Sequence, residues 1–141
     1  MSKVFNLSEA ASIAIHSMVM VAASKGKTNV GAIAERLSFS KHHVAKVMQR
    51  LVKVNIVNSN RGPAGGFELA RPAVEINLLE IYEAVEGKMK TSDCPLGYDT
   101  CAFEKCILGT IAHDMNREFK NYLNEHDLQF YVDNGYMIPK K

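Results

Sequence analysis

The stretch Asn60-Arg-Gly-Pro-Ala-Gly-Gly66 restricts the fold more than any other part of this 141-residue chain. It stands between Asn55–Ser59, whose Ile56 and Val57 read as a short strand, and Phe67–Ala70, which reads as the partner strand. Its glycines permit positive φ, so the segment can close a hairpin. A glycine-rich turn alone is weak evidence; what precedes it makes it strong. Asn29–Leu37 has the spacing of a short amphipathic helix (Val30, Ile33, Ala34, Leu37), and Ser38-Phe-Ser40 then makes a tight turn. Ser40 is a good N-cap for a further helix, Lys41–Val54, with an apolar stripe of Val44, Val47, Met48, Leu51 and Val52. Two short helices, a tight turn and a following hairpin predict a winged helix-turn-helix, mainly α with a small β-wing.

The other side of the second helix carries Lys41, His42, His43, Lys46, Gln49, Arg50 and Lys53, groups suited to a major groove and its phosphates. Charge on a helix face is also what a merely solvated face looks like, and the wing that follows is what favours a DNA reader. Arg61 at the wing tip can enter a minor groove, and Gly62, Gly65 and Gly66 let backbone approach a phosphate. The charge distribution agrees. Residues 1–71 hold ten Lys/Arg against three Glu, whereas residues 72–141 hold seven against twelve acids. The basic half is where a polyanion would sit.

Ser8 offers a helix start, and Ala10–Ala23 is apolar on nearly every side, which predicts a helix buried on more than one face. The run Ile13–Ala23 is too short to span a bilayer, so no membrane role is expected. His16 is its one imidazole, and the bland reading is a buried or interfacial histidine with a hydrogen bond. Asn77 can cap a helix with Glu80 in the capping-box position, and Gly87 ends it. From Ala102 a long helix is predicted, with Phe103, Ile107, Leu108, Ile111, Ala112, Met115, Phe119, Tyr122 and Leu123 in a 3.6-residue pattern. So wide a stripe needs the twin helix of a second subunit, with Phe103, Ile107, Ile111, Met115 and Phe119 as the dimer contacts. The resulting division is 1–87 for the DNA-binding domain, 88–106 for a cysteine loop, 102–126 for the dimerisation helix, and 127–141 for a tail that packs briefly and frays.

The loop holds all three cysteines, Cys94, Cys101 and Cys106. An odd number, with no signal peptide, argues for a reducing compartment, the cytoplasm. The Cys-x6-Cys-x4-Cys spacing lacks the close pair usual in zinc knuckles. It suits an iron-sulfur cluster with a fourth ligand from elsewhere, while leaving inert cysteines, zinc and a thiol switch open. No oriented base or oxyanion-hole motif accompanies the thiols, so an enzyme is not expected.

Leu7-Ser8, the buried first helix, the Ser40-headed helix, Asn58–Ala70 and Ile76–Glu86 together resemble the Rrf-two family of bacterial winged-helix regulators, over about residues 4–133. That family includes the iron-sulfur cluster regulator and the nitric-oxide-sensitive repressor. The resemblance implies a homodimer on a near-palindromic operator, with Ser40–Arg50 in the major groove and Arg61 in the minor groove. It also implies a cluster on Cys94, Cys101 and Cys106 that senses redox state, iron or nitric oxide. Some relatives add a histidine three residues after the last cysteine, where this chain has Gly109; others use a carboxylate or histidine from the partner's first helix, positions that fall on Ser12 and His16. His16 would favour 2Fe-2S, slightly preferred here, and a weak fourth ligand 4Fe-4S. The alternative is a cofactor-free winged-helix regulator controlled by a partner protein, a small ligand or thiol oxidation.

Overall fold

Helix starts are set by side chains that accept hydrogen bonds from otherwise unpaired N–H groups. In the computed structural model, which describes residues 7–24, 27–89 and 101–138, α1 (Glu9–Ala23) begins at Ser8, whose hydroxyl accepts from the Ala11 N–H. Asn29 caps α2 (Val30–Leu37) through the Ala32 N–H, and Ser40 caps α3 (Lys41–Lys53) through the His43 N–H. Asn77 does the same for α4 (Leu78–Glu86) through the Glu80 N–H. The caps at Ser8, Ser40 and Asn77 lie where the sequence placed them, whereas Asn29, read as the first residue of its helix, is the cap before it.

The core is built around α1. Ala11, Ile13, Ala14 and Met18 are fully buried, and the helix packs against α3, α4 and the C-terminal helix α6 (Leu128–Asp133). Only Glu9, His16 and Ala23 of α1 are exposed. Ser38 adopts the left-handed conformation (φ 58°) and turns the chain from α2 into α3, which buries Val44, Val47, Met48 and Leu51 and leaves its basic face outside. Strands β1 (Val57–Asn60) and β2 (Gly66–Leu69) pair antiparallel, Val57 opposite Leu69 and Asn60 opposite Gly66, and form the wing. The fold class is as expected.

Two boundaries differ from the sequence expectation. The last long helix, α5, spans Ile111–Glu125 rather than starting at Ala102. Cys101–Thr110 forms exposed turns instead, with Gly109 in the left-handed region (φ 60°) immediately before the helix. Phe103, Ile107 and Leu108 meet no buried surface among the described residues, and periodicity without packing does not hold a helix. The tail is the second difference. Leu128 is fully buried, its N–H donates to the Ile76 carbonyl (2.9 Å), and the Leu78 N–H donates to the His126 carbonyl (2.9 Å), so α6 belongs to the same core as the DNA-binding domain. Pro139-Lys140-Lys141 lies outside the described residues. Among the described residues no helix is long and apolar enough to cross a membrane.

Candidate functional site

α3 presents Lys41, His42, Lys46, Gln49 and Arg50 to solvent from a helix whose opposite side is locked in the core, which is what a rigid probe of a groove requires. His43 is half-buried, with Nδ1 3.6 Å from Glu9 Oε1, so the starts of α1 and α3 meet. Arg50 is engaged within the chain: Nη1 donates to the Val85 carbonyl at 3.2 Å and ties the end of α3 to the last turn of α4. That turn is also held by the Ser8 hydroxyl, which donates to Glu86. Sequence pattern could not reveal either link, because both join residues far apart in the chain.

At the wing tip Arg61 is exposed, and the turn closes through the Gly65 N–H to the Gly62 carbonyl (2.9 Å). Gly62 stands at φ 104° with open space around its Cβ position. Gly65 and Gly66 answer to the chain itself: a Cβ on Gly65 would sit 2.3 Å from the Asn60 carbonyl oxygen, and one on Gly66 2.9 Å from the Thr28 backbone. Thr28, which sequence reasoning passed over, pairs with Phe67 beside the wing. Its one sequence signal is a β-branched residue just before the Asn29 cap. Between the wing and α2 runs an open groove of about 400 Å³ whose lining includes Asn29, Gly31, Lys41, Ser59, Asn60 and Gly62.

The candidate ligand residues are distributed differently. Cys101 and Cys106 are free and exposed, and Cys94 lies outside the described residues. His16 is exposed, so of the buried or interfacial histidine expected only the buried form does not hold. Its Nδ1 lies 2.6 Å from the Ser12 carbonyl oxygen. Only a protonated Nδ1 can donate to a carbonyl, and in a neutral ring that leaves Nε2 as the free lone pair. A second nitrogen fixed by a backbone carbonyl is the usual arrangement of a metal-binding histidine. Among the described residues no three His, Cys, Asp or Glu side chains converge within the chain. Exposed thiols and an oriented imidazole nevertheless make a donor set whose chemistry suits an iron-sulfur cluster.

Of the expected dimer residues, Ile111, Met115 and Phe119 stand on α5, and Phe103 and Ile107 in the turns before it. Ile111 and Met115 are exposed, whereas Phe119 is half-buried with its ring edge-on to Tyr82, centroids 5.6 Å apart.

Comparison with known proteins agrees with this arrangement. The chain is 32% identical over 105 residues to the HTH-type transcriptional regulator YwgB of Bacillus subtilis, covering 72% of this chain and 67% of that protein. It is 28% identical over 123 residues to the HTH-type transcriptional regulator IscR of Serratia proteamaculans, covering 86% and 71%. Its fold is similar to that of CymR, the global cysteine regulator of B. subtilis, with a TM-score of 0.77 at 19% identity over 95% of this chain and 99% of that one. The pattern of the Rrf-two (Rrf2) family, described as an iron-dependent transcriptional regulator, matches residues 7–134. The chain belongs to the Rrf2 family of DNA-binding transcriptional regulators.

Proposed function

We propose that this regulator acts in the cytoplasm as a homodimer on a near-palindromic operator, its affinity set by an iron-sulfur cluster. Cys94, Cys101 and Cys106 of one subunit and His16 of the other would hold the cluster. The observation that carries this reading is His16: the one imidazole of the mostly buried helix α1 is exposed, with Nδ1 bound to the Ser12 carbonyl. When bound, a cluster supplies one-electron chemistry and reactivity toward oxygen or nitric oxide. The chain's own residues do the rest. Lys41 and Lys46 neutralise phosphates, His42 and Gln49 face base edges, and Arg61 enters the minor groove. Arg50 and Ser8 join α3 and α1 to the end of α4, where the cysteine loop departs, so a change in the loop reaches the reader through two hydrogen bonds.

Anaerobic purification with iron and sulfide analysis tests the reading. A coloured protein is expected, with His16→Ala altering its visible spectrum. A colourless, iron-free parent would overturn it and favour a second reading, thiol oxidation, which the free and exposed Cys101 and Cys106 support.

A further inference from the structure

A two-stranded hairpin is marginal in water by itself, so something must aim the wing before Arg61 can be useful. We propose that Thr28 is the positioning residue of the wing, its hydroxyl fixing the hairpin to the end of α1 and so holding Arg61 at the minor groove. The proposal rests on the reading of the wing as a minor-groove contact. Thr28 is 6% exposed and lies between α1 and α2. Its N–H donates to the Phe67 carbonyl (3.2 Å) and its carbonyl accepts from the Phe67 N–H (2.8 Å). Its hydroxyl donates to Ser24 Oγ (2.7 Å), and the Ser24 hydroxyl donates in turn to the Met20 carbonyl (2.8 Å) in the last turn of α1. Gly66 lacks the Cβ that would collide with Thr28, which lets β2 come this close.

The geometry explains why the hydroxyl matters. The two backbone bonds tie β2 to Thr28, and the hydroxyl bond ties Thr28 to the end of α1, so the three together link the wing to a buried helix. The hydroxyl can be isolated experimentally, because valine keeps the shape and β-branching of threonine and deletes only the donor. Ser24 then keeps its own bond to Met20, so no buried donor is orphaned.

The test is a double-mutant cycle of Thr28→Val with Arg61→Ala, read as affinity for a duplex selected by the full-length protein from a random-sequence pool. Arg61→Ala should weaken binding about tenfold in the parent and no more than about twofold in the Thr28→Val background. Thr28→Ser, which keeps the donor, should behave as the parent, and amide exchange at Phe67 should rise in Thr28→Val alone. Ser24→Ala removes the acceptor from the other end and serves the same cycle should Thr28→Val weaken the fold. Equal losses from Arg61→Ala in both backgrounds would overturn the positioning role while leaving the wing reading intact. No loss from Arg61→Ala in the parent would overturn the wing reading, and the proposal with it.

Discussion

Between Ser8 and Gly87 most large aliphatic side chains go inside: Ile13, Ile33, Leu51, Ile56 and Ile81 have no exposed surface. Between Phe103 and Tyr122 they stay outside, with Ile107 75% exposed, Ile111 57% and Leu108 51%. Both regions show amphipathic patterning in the sequence, yet among the described residues only the first finds its cover. The difference teaches that hydrophobic periodicity reports that a face will be buried, not what buries it. The DNA-reading half is a closed unit that includes α6; the half carrying α5 leaves Ile107, Ile111 and Met115 exposed.

Core truncation should strike the closed half hardest. Leu51→Ala leaves a cavity under α3 and should cost about 3–4 kcal/mol in urea unfolding. A loss below about 1 kcal/mol would mean that the reader's core is looser than its burial indicates. In the open half the cost should appear as association. Ile111→Lys should weaken self-association by about 2–3 kcal/mol in sedimentation equilibrium, and a parent that sediments as a monomer breaks the comparison outright.

Smaller effects sharpen it. Arg61→Ala should cost about 1.4 kcal/mol of operator binding, whereas Lys46→Ala should weaken all sequences alike and lower the salt slope by about one. Unchanged affinity in both variants would contradict the assignment of the reading surface. The smallest effect concerns α6. Burial, reinforced by the Tyr122 hydroxyl 3.3 Å away, raises the Tyr131 phenol well above its ordinary value. The folded state thus favours the neutral phenol. Its contribution is complete below the ordinary value of about pH 10 and is lost as pH rises beyond it. The stability of the parent should fall by under about 1 kcal/mol more than that of Tyr131→Phe across that range. Parallel curves would place α6 outside the closed core.

What was legible in the sequence was local. Ser8, Ser40 and Asn77 announce their helices because a cap depends on the next three residues, and the wing announces itself because its turn needs glycine. What was not legible depends on distant backbone. The Arg50 bond to the Val85 carbonyl, the pairing of Thr28 with Phe67, and the docking of Leu128 on Ile76 use main-chain groups that every residue carries. The start of α5 was misplaced for a related reason: the apolar spacing continues back to Phe103, but Gly109 turns left-handed. At the candidate ligand set, His16 was visible as a residue type, and its exposure was not.

The central claim is that chemistry at the cysteine loop reaches the DNA reader. The most direct measurement is operator affinity of the anaerobically purified, full-length protein before and after controlled exposure to oxygen, at fixed salt. The account predicts a change of about tenfold or more, of a size with ordinary allosteric coupling, and its loss in His16→Ala. An affinity that stays the same while the visible spectrum bleaches would contradict it.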